Sequence, residues 1–155
     1  MADRSAEEFA QHYLEEVRRC VGLAYVLCGD EGTAEEVVAD AFAGCWQHFR
    51  AGHVDDVHGY LRRAVVNTMN SRFRRHRLER AHLQVAGSVG SGREDRVPSG
   101  ESGTDDRLAV WPVLLALPMG QRSVLVLRFL EDRSTVETAE ILGVSVGTVK
   151  SRTSR

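Results

Sequence analysis

The sequence predicts an all-α protein built as two small helical domains joined by a flexible linker. Apolar residues recur at helical spacing on both sides of the middle of the chain, and no stretch alternates apolar and polar residues as a half-buried strand does. Between the two helical regions lies GSVGSGREDRVPSGESGTDD, rich in Gly and Ser and nearly free of apolar side chains. Such a composition buries too little surface to offset the entropy of ordering it. Residues 1–83, 84–104 and 105–155 are therefore expected to be a first unit, a linker and a second unit.

Each element follows from its own pattern. Phe9, Tyr13, Val17, Cys20, Val21 and Ala24 form one apolar stripe, and Gly29-Asp30 breaks that helix. A second helix is expected from Thr33, as N-cap with Glu36 its capping-box partner, with Val37, Val38, Ala41, Phe42, Cys45 and Trp46 inward. RAGHVDD, residues 50–56, reads as a loop. A third helix, about Val57 to Leu83, carries Tyr60, Leu61, Ala64, Val65, Thr68 and Met69 inward and turns arginine-rich in SRFRRHRLER. In the second unit Leu108, Trp111, Leu114 and Leu115 supply apolar surface, and Pro112 implies a late start or a kink. A helix from about Gly120 to Leu130 follows, with Val124, Leu127 and Phe129 as anchors; then come helices from Thr135 to Leu142 and from Val146 onward, separated by a Gly143 turn.

Composition narrows the function classes. A chain that is 43% hydrophobic and 27% charged suits a soluble globular protein, and no apolar run approaches the ~20 residues that span a bilayer. MADRSAEEF has no basic flank before an apolar core, so neither a signal peptide nor membrane insertion is expected, and the location is expected to be cytoplasmic. Cys20, Cys28 and Cys45 form no CxxC pair and lie in apolar helical patterns, which predicts packing roles. The histidines are scattered in sequence, and neither a metal nor a cofactor is expected. The net charge of -2 hides an asymmetry: residues 1–46 hold 3 Arg against 10 acids, net -7, and residues 47–80 hold 8 Arg against 3 acids, net +5.

Three segments carry candidate chemistry. TVETAEILGVSVGTVKSR has the build of a helix-turn-helix: Ala139 permits close approach, Gly143 makes the turn, Ile141, Leu142, Val144 and Val149 fill the angle, and Ser145 caps the second helix. Thr148, Lys150, Ser151 and Arg152 then lie near a helix start, where N–H groups and cations favour phosphates and base edges. A helical hairpin that never meets DNA has the same pattern. Arg72, Arg74, Arg75, Arg77 and Arg80 follow Asn67, Thr68, Asn70 and Ser71, and earlier stand Phe49, Arg50 and His53. Cations with amide and aromatic groups beside them suit single-stranded nucleic acid, although a charged helix face is often merely solvated. In AEEVVADAFAGCW, Glu35, Glu36 and Asp40 flank an apolar stripe; such a face repels phosphate and suits a protein partner, or is an ordinary amphipathic surface.

AEEVVADAFAGCW, YLRRAVVNTMNSRFRR and LPMGQRSVLVLRFLEDRSTVETAEILGVSVGTVKSRTSR, in that order around a variable linker, resemble the extracytoplasmic-function sigma factors of bacterial RNA polymerase, of the actinobacterial sigma-E type. The resemblance implies a sigma-2 domain over 1–83 and a sigma-4 domain over 105–155, and family members continue past SRTSR, so a C-terminal truncation is expected. It implies that Glu36, Val37, Asp40 and Phe42 dock on core polymerase, and that Phe49, Arg50 and His53 lie in the loop that takes a flipped base of the -10 element. Asn67 matches an asparagine of that site, and Asn70, Arg72, Arg74 and Arg75 belong to the helix along promoter DNA. Thr148, Lys150, Ser151, Arg152 and Ser154 lie on the helix for the -35 major groove. The implied partners are core RNA polymerase, promoter DNA and an anti-sigma factor, with no enzymatic activity. A stand-alone helix-turn-helix regulator is the alternative; it would bind duplex tightly without polymerase and gives the Asn67 and arginine set no role.

Overall fold

The computed structural model describes residues 2–85 and 105–154. Within them the chain forms α1 (Ala2–Cys28), α2 (Glu31–Arg50), α3 (Val57–Val85), α4 (Asp105–Ala116), α5 (Met119–Leu125), a π-helical turn (Val126–Leu130), α6 (Thr135–Leu142) and α7 (Val146–Thr153). No strand occurs among the described residues. The linker expected over 84–104 lies, from residue 86 onward, outside them; Gln84 and Val85 still belong to α3.

The first three helices pack around one apolar core. Ala34, Val37, Val38, Ala41, Phe42 and Cys45 line the inner side of α2 at the i, i+3, i+4, i+7 spacing of a buried stripe. They meet Cys20, Leu23, Ala24 and Leu27 of α1, and Val57, Leu61, Val65, Val66 and Met69 of α3. Tyr13, expected inside, sits at the margin, 45% exposed, with its ring edge-on to Phe42 at 4.8 Å.

The start of α2 corrects an expectation. Gly29, at φ 71, ends α1, and Asp30 rather than Thr33 is the N-cap, accepting from the Thr33 amide at 3.0 Å and the Thr33 hydroxyl at 2.6 Å. An Asp one residue after a left-handed Gly captures the free amides first, so Thr33 falls inside the helix. Glu36 instead pairs with Arg72 at 3.0 Å. Similarly, Asp56 starts α3, its carboxylate accepting from the Gly59 amide at 3.0 Å.

Cys20 and Cys45 are fully buried, and Cys28 is half-buried. Burial, reinforced by the Glu16 carboxylate, pushes the Cys20 thiol up to about 12, and burial pushes Cys45 up to about 11. Burial also raises Cys28, which donates to the Asp30 carbonyl at 3.3 Å. At mildly alkaline pH an aromatic disulfide reagent is expected to label Cys28 first, with Cys20 and Cys45 reacting only as fast as the chain opens. Three equally fast thiols would contradict this packing.

The second half builds onto the first. Pro112 sits inside α4, which starts before it at Asp105, so the late start expected there does not occur. Trp111 meets Tyr25 of α1 ring edge to face at 4.5 Å. Val126, Leu127 and Ile141 join the core of the first three helices. Phe129, expected as an anchor, is 67% exposed. An α-helical continuation from Arg122 and Val126 would carry Phe129 inward, but the Glu131 amide bonds to Val126 five residues back, and the widened π turn rotates Phe129 outward.

α6 and α7 form the expected helix-turn-helix around Val124, Ala139 and Val149. Ser134 and Glu137 make a reciprocal capping box, and the hydrogen bonds from Ser134 hold the Glu137 carboxyl below its usual range. Gly143 adopts the left-handed conformation, φ 64, and the Val144 amide returns to the Ala139 carbonyl at 3.1 Å. Ser145 caps α7 through the Thr148 amide at 3.1 Å.

Candidate nucleic-acid interface

Three surfaces hold the residues singled out by sequence. The first is the outer side of α2, where Glu35, Glu36, Ala39 and Asp40 are exposed along successive turns. Val37 and Phe42, expected to touch a partner, are buried instead, Phe42 against Tyr13 and Phe9. Helical periodicity turns Phe42 away from Glu36 and Asp40 and sets Val37 at the flank of that face, both packed into the core beneath it.

The second surface runs along α3. A groove of about 1120 Å³ between α3 and the second half is lined by Asn67, Asn70, Arg72, Arg74, Arg75 and Arg152, among others. Asn67 is exposed. Asn70 is half-buried, its amide oxygen accepting from the Ser123 hydroxyl at 3.0 Å. Arg72 is held by Glu36, whereas Arg74, Arg75, Arg77 and Arg80 are exposed and make no ion pair among the described residues.

Phe49, Arg50 and His53 do not line this groove. They gather at the other end of α3, where Phe49 packs 5.5 Å from Phe9, the Arg50 guanidinium lies 5.5 Å over Trp46, and His53 approaches His48 at 6.5 Å. Tyr60, 5.8 Å from His48, precedes Asn67 by two helical turns, roughly 10 Å at 1.5 Å per residue. The expected -10 residues therefore form two patches, an aromatic one at the end of α2 and the loop after it and a cationic one on α3. Asp56, before the basic helix, is engaged in capping α3.

On α7, Lys150, Ser151 and Ser154 face outward. The Thr148 hydroxyl lies 2.9 Å from Ser145 Oγ, and Ser154 Oγ donates to the Lys150 carbonyl at 3.1 Å. Arg152 differs: its guanidinium turns toward Gly120, 3.1 Å from where a Cβ would stand there, and faces the α3 groove. A Cβ at Gly120 would press on this guanidinium, which would have to give by a few tenths of an ångström.

Sequence reasoning passed over the buried Arg122. Its guanidinium donates to the carbonyls of Leu114 at 2.9 Å, Leu115 at 2.7 Å and Leu117 at 2.8 Å, and to that of Leu27 at the end of α1. The signal was present: Arg122 stands four residues before Val126 on the inner side of its helix, a position for an apolar residue or a fully bonded polar one.

Comparison with known proteins places the chain in a wider set. Residues 12–79 match the family model for sigma-70 region 2, and residues 107–155 match that for sigma-70 region 4. The chain is 34% identical over 128 residues to the RNA polymerase sigma-E factor of Streptomyces coelicolor, covering 81% of this chain and 68% of that protein. It is 31% identical over 156 residues to the sigma-E factor of Streptomyces avermitilis, covering 97% and 82%. In structure it resembles the sigma factor RpoE in complex with the anti-sigma factor NepR from Bartonella quintana, with a TM-score of 0.70, 22% identity and coverage of 96% of this chain and 91% of that one.

Proposed function

Because the chain belongs to the extracytoplasmic-function sigma factors of bacterial RNA polymerase, we propose that it binds core polymerase and directs it to promoters, with residues 1–83 serving core binding and the -10 element and residues 105–155 the -35 element. The exposed acidic face of α2, Glu36 and Asp40 foremost, is the core-binding surface. A negative patch is kept off phosphate and meets a basic protein surface.

The observation that carries the DNA reading is the single helix α3, which offers the Asn67 amide beside the exposed guanidinium groups of Arg74 and Arg75. Phosphate contacts by the arginines fix register, and the amide reads an unpaired base edge. Phe49, Arg50 and His53, with Arg50 lying over Trp46, give the melted strand an aromatic and cationic contact at the end of α2 and in the loop after it. The capped helix α7 presents Lys150 and Ser151 to a major groove. Each reader contributes modest affinity, and joining them in one chain raises the effective concentration of the second once the first is bound. An anti-sigma factor is part of the proposed partner set, in keeping with the Bartonella quintana complex.

Run-off transcription with purified core polymerase and a cognate promoter tests the assignment. Asn67→Ala is expected to lower promoter-specific transcript about ten-fold, the worth of one lost base contact of ~1–3 kcal/mol, with core affinity unchanged. Loss of core binding in this variant would refute the role given to Asn67. Tight duplex binding without polymerase, and no transcript with it, would favour the stand-alone regulator.

A further inference from the structure

Away from the groove, α1 and the first turn of α3 bring together His12, Glu15 and His58, with one ligand atom of each within 4.8 Å of the others. The two imidazole rings meet edge to face at 5.4 Å. Behind them lies Glu16, only 3% exposed, with one carboxylate oxygen 2.7 Å from His58 Nδ1. Its other oxygen is buried without a hydrogen-bond partner, as is His12 Nδ1. Buried polar atoms left unpaired are rare and call for an ion or a water.

We propose that this cluster is a binding site for one divalent transition-metal cation of the zinc type, held by one nitrogen of each imidazole and a Glu15 carboxylate oxygen. Two nitrogens and one oxygen are a borderline donor set, suited to such a cation rather than to calcium or magnesium. Bonds of ~2.0–2.2 Å imply donor atoms roughly 3.3 Å apart in a tetrahedral site. The donors already lie within 4.8 Å, and Glu15 is exposed with both histidines half-exposed, so side-chain rotation closes the difference without backbone movement. Glu16 completes the arrangement. By accepting the Nδ1 proton of His58 it leaves the lone pair on Nε2, and a carboxylate behind a ligating histidine fixes its tautomer and raises its basicity.

The site also has a defined neighbour. The His12 ring stands edge-on to Phe49 at 6.2 Å, and His58 is the second residue of α3 after the 51–56 loop. A bound cation would tie the start of α3, just after that loop, to α1. Metal binding itself does not depend on the promoter reading.

The test uses the full chain, freed of metal by a chelator that is then removed, titrated with Co²⁺ as the spectroscopic probe and then with Zn²⁺. Expected are a visible absorption band saturating at one Co²⁺ per chain, its loss on adding Zn²⁺, and a higher thermal midpoint in Zn²⁺. His12→Gln and Glu15→Gln are each expected to weaken Co²⁺ binding about ten-fold or more while keeping the helical circular dichroism. His58→Ala is less suitable, because it leaves Glu16 buried without its partner. No saturable binding up to millimolar Co²⁺, thiolate-to-metal absorption pointing to the cysteines, or binding that both variants leave unchanged would each overturn the proposal. In the first case a bridging water satisfies the orphaned atoms.

Discussion

Arg122→Met is expected to destabilise the second half of the protein by about 3 kcal/mol or more, since the Leu27, Leu115 and Leu117 carbonyls each lose a donor at ~1–3 kcal/mol apiece, while that of Leu114 keeps the Leu117 amide. Methionine fills much of the same volume, so the loss reflects hydrogen bonding rather than a cavity. The Arg122 side chain bonds four carbonyls, three of them around the end of α4 and one at the end of α1. Helix C-termini present such carbonyls without intrahelical partners and carry partial negative charge, so a buried cation there supplies both hydrogen bonds and dipole stabilisation. Phe73, with its ring 5.6 Å from the guanidinium, adds a cation–π contact. Lysine would not substitute, because a compact ammonium cannot present a planar fork to several carbonyls. Denaturant unfolding followed by tryptophan fluorescence checks this, since Trp111 packs against Tyr25 beside the junction. A change below about 1 kcal/mol would show that the carbonyls find water once the guanidinium is gone.

The double variant Arg74→Ala, Arg75→Ala is expected to weaken promoter binding by the reconstituted holoenzyme across all promoter sequences alike, and to reduce the dependence of log affinity on log salt by about 2. Both residues are exposed and without ion partners among the described residues, which leaves their charge available for phosphate. Each phosphate neutralised releases about one condensed counterion, which is the origin of the slope. Arg72→Ala should change the slope less, because Glu36 already holds that guanidinium at 3.0 Å. Binding isotherms between low and moderate salt give the answer. An unchanged slope in the double variant would remove these arginines from the DNA-contacting surface.

How much of this was legible in the sequence depends on the range of the interaction. The capped hairpin Ser134 to Thr153 was legible because its signals are local: Gly143 for the left-handed turn, Ser145 for the cap, Ala139 and Val149 at contact positions. The core side of α2 was legible from periodicity, which also places Val37 and Phe42 inside, although the resemblance implies them as contact residues. Phe129 escaped because a single π turn resets the phase of a helix and leaves no mark in the hydrophobic pattern. Arg122 reaching Leu27, Ser123 reaching Asn70, and His12 meeting His58 all join residues far apart in the chain, and no spacing rule reports them.

With Asn70 among the residues proposed to contact promoter DNA, its hydrogen bond with Ser123 becomes a toll on that contact. An amide already satisfied inside the protein must first be released, so a strand that needs Asn70 is bound only by the fraction of molecules in which this contact is open. Every 1.4 kcal/mol favouring the closed contact lowers apparent affinity about ten-fold. Ser123→Ala, which removes the competing hydroxyl from a fully buried position, is therefore expected to raise the open fraction and with it the affinity for DNA, tuning the contact from inside the protein.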